Sequence, residues 1–284
     1  MIIVKLQGGL GNQMFQYALG RSLSLIHNVP FKVDSSYLRN PNQSNRTVKL
    51  HHFNVKIIEA MEGEIQTYRS PFQKILDKVR PQSQMKKVLD IGYFDEAILR
   101  RKDAYFDGTW VSEGYFKANE KIIQKDFSLH NQLSSASKAI SGKILSEQNS
   151  ISVHIRRGDY VTMQKVALTL GTLPLSYYIE ATKKILETIP DAYFFISSDD
   201  IEWAKENLPI KNNVTFISSP EIPEYEELML MSLCKHNIIA NSTFSWWGAW
   251  LNQNPNKIVI APKKWHIKEE SSIKDIVPKT WLQI

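Results

Sequence analysis

Two consecutive arginines are the residues with the most specific chemistry in this chain. They stand in VHIRRGDY (153–160), after an apolar run and before a Gly-Asp turn. A guanidinium can bind phosphate oxygens through paired hydrogen bonds and a permanent positive charge. Arg156 and Arg157 therefore predict a phosphate site. The alternative is that they pair with Asp159 or with another neighbouring carboxylate.

A cluster of hydroxyls lies further along, in ANSTFSWWGAWLN (240–252). Ser242, Thr243 and Ser245 fall at a predicted strand-to-helix junction. Hydroxyls and exposed backbone N–H groups at such a junction suit an anion. The tryptophans that follow have the spacing of a helix face and are interpreted as core.

Two carboxylates follow another apolar run, in SSDD (197–200). Asp199 and Asp200 are suited to cap a helix that begins there. A carboxylate at this place could instead accept hydrogen bonds from a nucleobase or a ribose. The segment is compatible with both roles.

The glycine-rich opening, GGLGNQMFQ, resembles part of a dinucleotide-binding loop. It lies between a strand and a helix, and Asp34 follows at the spacing of a ribose-binding acid. However, Met14 occupies the place of the third glycine of that motif, and no G-K-[ST] follows, which excludes a Walker loop. The alternative is a tight turn with Asn12 as the helix N-cap.

The sequence contains no D-x-D pattern and no His/Cys cluster with zinc spacing. We therefore expect no metal and no other cofactor. If a diphosphate binds, arginines and helix N-termini must neutralise it.

Apolar strands that alternate with amphipathic helices position these segments. The pattern predicts parallel sheets covered on both faces, with ligands at the carboxyl ends of the strands. The expected ligand-binding segments are 8–13, 154–160, 197–200 and 241–245. Residues 40–130 are less regular, and the Ser-rich stretch 130–150 reads as a seam between two domains. The predicted strands are 2–6, 30–34, 151–155, 192–197, 214–218, 237–241 and 257–262, and the predicted helices are 13–27, 174–189, 201–208, 224–233 and 245–252.

The composition of the chain limits which other classes of function are possible. The 284 residues include one cysteine and no apolar run long enough to span a membrane, and no signal-peptide pattern is present. We therefore expect a cytoplasmic protein. The net charge is +6, and residues 1–149 carry 21 basic against 14 acidic residues. No nucleic-acid-binding signature accompanies this excess. It indicates either a solvated helix face or peripheral association with an anionic membrane surface.

Together, GGLGNQMFQYA, HIRRGDY, SSDDIEWAK and NSTFSWWGAWLN resemble the α-1,2-fucosyltransferases of glycosyltransferase family 11, in the same order and over nearly the whole chain. The resemblance implies an α/β, GT-B-like fold with two Rossmann-like domains facing across a cleft. It also implies GDP-β-L-fucose as the donor, inversion at the anomeric carbon, and no metal requirement. Residues 1–148 would form the acceptor-side domain, and residues 149–284 the GDP-fucose-binding domain.

The resemblance also implies roles for single residues. Asn12 would face the β-phosphate and the fucose from the first domain. In the second domain, Arg156 would hold the β-phosphate, with Arg157 in support. The guanine or the ribose would be recognised by His154 and by one of Asp199 and Asp200. The diphosphate would be lined by Thr243, Phe244 and Ser245.

For the residues that would act on the acceptor, the sequence leaves alternatives. Asp159 and Asp34 are both candidates for the base that takes the proton of a galactose 2-hydroxyl. Trp110, Tyr115 and Phe116 could stack on an acceptor sugar or pack in a core. The acceptor would be a galactose-terminated oligosaccharide or a lipid-linked glycan. The alternatives are a GDP-fucose transferase of another linkage, an NAD-binding oxidoreductase and a non-catalytic glycan-binding module.

Overall fold

The computed structural model describes residues 1–70, 75, 85–158, 161, 171–210, 213–266 and 275–284. Within these ranges, no helix combines the length and apolarity that a bilayer crossing requires. The chain divides into two compact units. The first comprises Met1–Asn131 and Ser271–Ile276, and the second comprises Gln132–Glu270 and Val277–Ile284.

The first unit is built on a parallel four-stranded sheet with the order β2-β1-β4-β3. Buried apolar residues of β1 and β4 form its centre. Gly20 lets the first helix pack closely on this sheet, since a Cβ there would lie 2.1 Å from the Phe31 ring. The strands are β1 Ile2–Lys5, β2 Phe31–Asp34, β3 Lys87–Leu89 and β4 Ala104–Asp107, and the helices are α1 Leu10–His27, α2 Ser36–Arg39, α3 Glu62–Arg69 and α4 Glu120–Asp126.

The second unit contains a parallel six-stranded sheet with the order β10-β9-β8-β5-β6-β7. The strands are β5 Ser150–Ile155, β6 Tyr193–Ser198, β7 Val214–Phe216, β8 His236–Ile238, β9 Val259–Ala261 and β10 Leu282–Gln283. The helices are α5 Ser135–Ser146, α6 Leu175–Thr188, α7 Ile201–Asn207, α8 Glu224–Leu233 and α9 Thr243–Leu251.

Strand alternation covers the two faces of this sheet with different helices. Ile151, Val153 and Ile155 pack in one core with buried residues of α6 and α7. Phe195 packs on the opposite face, with Ile144 of α5 and Leu230 of α8. The second face therefore receives every other residue of β5 and β6, including His154 and Ser197.

The predicted alternation of strands and helices is confirmed, with differences at two places. Helix α1 begins at Leu10 rather than near residue 13, and its N-cap is Gly9 rather than Asn12. The Ser-rich stretch 130–150, interpreted as a seam between two domains, contains helix α5. Its N-cap, Ser134, donates a hydrogen bond to the buried Glu226 carboxylate at 2.7 Å, and this contact holds α5 on the second unit. The change between units falls at 131/132, inside the predicted seam, whereas the predicted domain bounds placed it at 148/149.

Candidate active site

The sheet of the second unit has its topological switch point at β5. From β5 the chain continues to β6 and β7 on one side, and then to β8, β9 and β10 on the other. In open parallel sheets, ligands bind in the crevice at such a point, outside the carboxyl ends of the strands. The segments that follow β5, β6 and β8 meet at this edge, and they contain the arginines, the SSDD carboxylates and the hydroxyl cluster.

Asp199 organises the loop that follows β5. Its Oδ2 lies 3.0 Å from Nη1 of Arg156, and its Oδ1 accepts the backbone N–H of Arg157 at 2.8 Å. Gly158 allows this approach, because a Cβ there would lie 2.4 Å from Oδ2 of Asp199. The Arg156 guanidinium is thus oriented by a carboxylate from the neighbouring strand.

Arg157 is held by a second pair of contacts. Its Nε donates to Oδ2 of Asp200 at 3.0 Å, and its guanidinium carbon lies 3.9 Å from the centre of the Trp203 ring. Asp200 also caps α7 by accepting the Trp203 N–H at 3.4 Å. Both arginines therefore pair with SSDD carboxylates, as the alternative interpretation allowed. Asp159 lies outside the described residues.

His154 is the polar residue of β5 nearest to the carboxyl end of that strand. It is 2% exposed, and its Nδ1 has no hydrogen-bond partner among the described residues. Burial and the nearby positive charge of Arg156 lower the pKa of His154 to about 3, so its ring is neutral at physiological pH. Ser197, its register partner on β6, is also buried, and its Oγ lacks a partner within the same ranges.

The start of α9 completes this edge of the sheet. Ser242 is the N-cap, and its Oγ accepts the Phe244 N–H at 3.3 Å. The first turn has no acidic residue, so the positive end of the helix dipole is not offset there. The Phe244 ring lies 5.5 Å from that of His154, while Thr243 is half-buried and Ser245 is buried. The tryptophans that follow are buried, which confirms their interpretation as core.

Two acidic residues of α8 belong to this site and were missed in the sequence. Glu224 and Glu227 lie in the first turn of α8, and both are half-buried. Burial is the main reason that the pKa of Glu227 is raised to about 7; repulsion by Asp199 and Glu224 adds to the rise, and a hydrogen bond from Ser218 opposes it. The pattern EYEELMLMSL resembles any amphipathic helix, so only the fold brings the Glu227 carboxyl within the electrostatic influence of Asp199.

The opening loop lies at the equivalent switch point of the first unit, between β1 and β4. Buried glutamine amides brace it: Gln13 donates to Gly8 O and Thr47 O, and Gln16 bonds Gln7 and Gly108. Gly8 has a φ of 77°, which favours glycine, and a Cβ there would lie 2.6 Å from the Asn12 amide nitrogen. Asn12 is half-buried in the first turn of α1, and its role toward a donor stays a prediction.

Asp34 is a buried residue whose carboxylate contacts other side chains of the first unit. It is 0% exposed, and its Oδ2 accepts the Tyr105 O–H at 2.7 Å and lies 3.6 Å from Arg69 Nη1. Its Oδ1 accepts the Ser36 N–H. These contacts explain a buried carboxylate without any substrate, and its role as a base stays a prediction.

The three aromatic side chains expected near an acceptor are buried. Trp110, Tyr115 and Phe116 are each at most 1% exposed. Trp110 packs edge-on against both Phe106 and Tyr115. Of the two interpretations of these rings, stacking on a sugar and packing in a core, their burial supports core packing.

A family model described as glycosyl transferase family 11 matches residues 1–284. The chain belongs to this family. The resemblance inferred from its four motifs is thereby confirmed. A relative from Escherichia coli named alpha-1,2-colitosyltransferase is 33% identical over 294 residues, which cover 100% of this chain and 99% of the relative. Human galactoside alpha-(1,2)-fucosyltransferase 1 is 26% identical over 155 residues, which cover 51% of this chain and 41% of the human protein.

The fold of this family 11 glycosyltransferase also has counterparts among solved structures. NodZ alpha-1,6-fucosyltransferase, co-crystallized with GDP, matches with a TM-score of 0.52 and 16% identity over 87% of this chain and 91% of that one. The predicted α/β, GT-B-like class with Rossmann-like sheets is confirmed.

Proposed function

We propose that this family 11 glycosyltransferase transfers L-fucose from GDP-β-L-fucose to the 2-hydroxyl of a terminal galactose, with inversion. The observation that carries the proposal is the position of Arg156. Its guanidinium is oriented by Asp199 at the switch point of a nucleotide-binding type of sheet, beside the N-terminus of α9.

The chemistry follows from the charges at this edge. Breaking the bond between fucose C1 and the phosphate oxygen leaves negative charge on GDP. Arg156 and the first turn of α9 stabilise that charge more strongly in the transition state than in the bound donor, which lowers the barrier. The galactose 2-hydroxyl attacks C1 from the opposite face, so a β-linked donor yields an α-fucoside.

The attacking hydroxyl must lose its proton. We assign this role to Asp159, which follows the arginines and Gly158, because the Asp34 carboxylate is buried under the Tyr105 hydroxyl. A base must reach the hydroxyl within hydrogen-bond distance, and a fully buried carboxylate needs a rearrangement to do so.

The names of the relatives support this donor and acceptor. The human relative is a galactoside α-1,2-fucosyltransferase, and the solved NodZ enzyme was co-crystallized with GDP. We also propose that transfer needs no metal ion, because arginine and a helix N-terminus supply positive charge for the diphosphate.

One relative that matches over its full length, the alpha-1,2-colitosyltransferase, favours a second candidate, the transfer of colitose. Colitose is fucose without its 3-hydroxyl, so GDP-colitose presents the same nucleotide and the same reacting carbon. The two donors differ only in a hydroxyl that a side chain of the site must accept or leave unpaired.

The test is a panel of GDP-fucose and GDP-colitose with galactose-terminated acceptors, with and without EDTA, and with the product linkage read by NMR. We expect α-1,2-linked fucose on galactose at an unchanged rate in EDTA. Preferential use of GDP-colitose would support the second candidate. A different linkage, or activity lost in EDTA and restored by Mn²⁺, would overturn the corresponding part of the proposal.

A further inference from the structure

The Arg157 guanidinium is held at its Nε by a carboxylate and on one face by an aromatic ring. Its Nε donates to Asp200 Oδ2 at 3.0 Å, and its guanidinium carbon lies 3.9 Å from the centre of the Trp203 ring. Both partners belong to the segment that follows β6, whereas Arg157 follows β5. Together these contacts restrict the orientation of a side chain that is otherwise flexible.

Asp200 and Trp203, which we call the Arg157 clamp, are themselves anchored to the second unit. Asp200 accepts the Trp203 N–H at 3.4 Å as the N-cap of α7, and its own N–H donates to Ser198 Oγ at 3.0 Å. Trp203 is half-buried and packs against the core formed by β5, β6 and α6. The clamp is therefore built on the sheet and its core rather than on an isolated loop.

The terminal nitrogens of Arg157 are the part of its guanidinium that the clamp leaves available. Neither Nη1 nor Nη2 forms a hydrogen bond or an ion pair with another residue that the structure describes, and the side chain is 21% exposed. The N–H groups of these two nitrogens lie in one plane and match the oxygens of a phosphate group. Arg156 differs, because its Nη1 lies 3.0 Å from Asp199 Oδ2. Arg157 thus presents a preformed fork for an anion.

We propose that Trp203 is a positioning residue for donor binding: it holds the Arg157 guanidinium so that Nη1 and Nη2 meet the diphosphate. The inference rests on the proposed function, because it takes a GDP-sugar as the donor. A guanidinium that is already fixed loses less conformational freedom when the donor binds, so the affinity is higher. Trp203 acts through Arg157 and needs no contact with the donor itself.

The effect of Trp203 falls on donor binding rather than on the chemical step. Without the ring, Arg157 adopts the binding orientation for only a fraction of the time, and the affinity falls by that fraction, up to about tenfold. Once the donor is bound, its phosphate oxygens hold the guanidinium in place. Loss of Trp203 should therefore raise the Kd and the KM for the donor and leave kcat at saturating donor within about twofold.

The experiment measures GDP-fucose binding by calorimetry, together with transfer kinetics. The variants are Trp203→Leu, Trp203→Phe, Arg157→Met, and the double variant of Trp203→Leu with Arg157→Met. Trp203→Phe keeps a ring at this position, and Arg157→Met keeps the length of the side chain but removes its charge. The matched control is Phe216→Leu, because Phe216 is half-buried, packs on the same core, and has its ring centre 6.0 Å from Lys205 Nζ.

We expect Trp203→Leu to bind GDP-fucose about 5- to 10-fold more weakly than the wild type, and Trp203→Phe to stay within about twofold. In the Arg157→Met background, Trp203→Leu should have no further effect, because the residue through which it acts is already changed. Phe216→Leu should bind the donor as the wild type does. If Trp203→Leu does not fold, Trp203→Met replaces it, since its flexible side chain fills more of the same space.

Three results, each with a wild type that binds GDP-fucose, would overturn the inference alone. In the first, Trp203→Leu binds the donor as tightly as the wild type. In the second, it weakens binding equally with and without the Arg157 side chain, which would indicate a purely structural role. In the third, Phe216→Leu weakens binding as much as Trp203→Leu does. A wild type that binds no GDP-fucose would overturn the proposed function as well.

Discussion

Gly158→Ala tests whether the contact between Asp199 and the arginine loop sets the activity. The added Cβ would lie 2.4 Å from Asp199 Oδ2 and 2.9 Å from its Cγ. An ordinary carbon–oxygen contact is about 3.3 Å, so the carboxylate must move by roughly 0.9 Å. That movement displaces the oxygen that orients Arg156 through its 3.0 Å contact.

The magnitude follows from the displacement. A misplacement of about 1 Å at a reacting centre can cost about a hundredfold, and losing one charge-stabilising donor costs about 10²–10³-fold. We therefore expect Gly158→Ala to lower kcat/KM by about 10- to 100-fold, and Arg156→Ala to lower it by at least as much. Stability should change little, because an ion pair near the surface contributes only about 0–1 kcal/mol.

The assay is transfer from GDP-fucose under kcat/KM conditions, together with thermal unfolding. Gly142→Ala is the matched control, because a Cβ at that exposed position of α5 has nothing within 4 Å. The control should keep full activity. A Gly158→Ala variant within about twofold of the wild type would refute the role given to the Asp199–Arg156 contact, since the substitution leaves that carboxylate no room to stay.

Two further predictions concern the first unit. Gln16→Leu removes the buried side chain that bonds Gln7 and Gly108. It should destabilise the unit by about 3 kcal/mol in denaturant unfolding, because it leaves three part-buried backbone groups unpaired. Gln66→Leu, on the exposed face of α3, should cost under about 0.5 kcal/mol. Asp34→Asn and Tyr105→Phe should each lower stability by about 1–3 kcal/mol with similar, modest losses of kcat. A loss of kcat above about 10³-fold for Asp34→Asn alone, at unchanged Tm, would identify Asp34 as the base.

Much of the fold was predictable because its signals are local. Short apolar runs alternating with amphipathic helices require a parallel sheet covered on both faces, and β5, β6 and β8 lie where the pattern put them. Helix α5 was missed because its stretch is rich in serine, which favours turns when isolated. Contacts that are distant in sequence, between Ser134 and Glu226 and between Ile144 and Leu230, make it a helix of the second unit.

The candidate site was likewise predictable in part from local sequence and in part only from the fold. The sequence alone determined which chemistry is present, because residue types such as two adjacent arginines and a Ser-Thr-Phe-Ser junction limit what can be bound. Only the tertiary structure decided which groups share an edge: Asp199 orients Arg156, Asp34 is buried under Tyr105, and Glu227 joins the site through Ser218. The physical reason is that hydrogen bonds and charges act over a few ångströms, and those distances are set by strand order and helix packing, which no local pattern encodes.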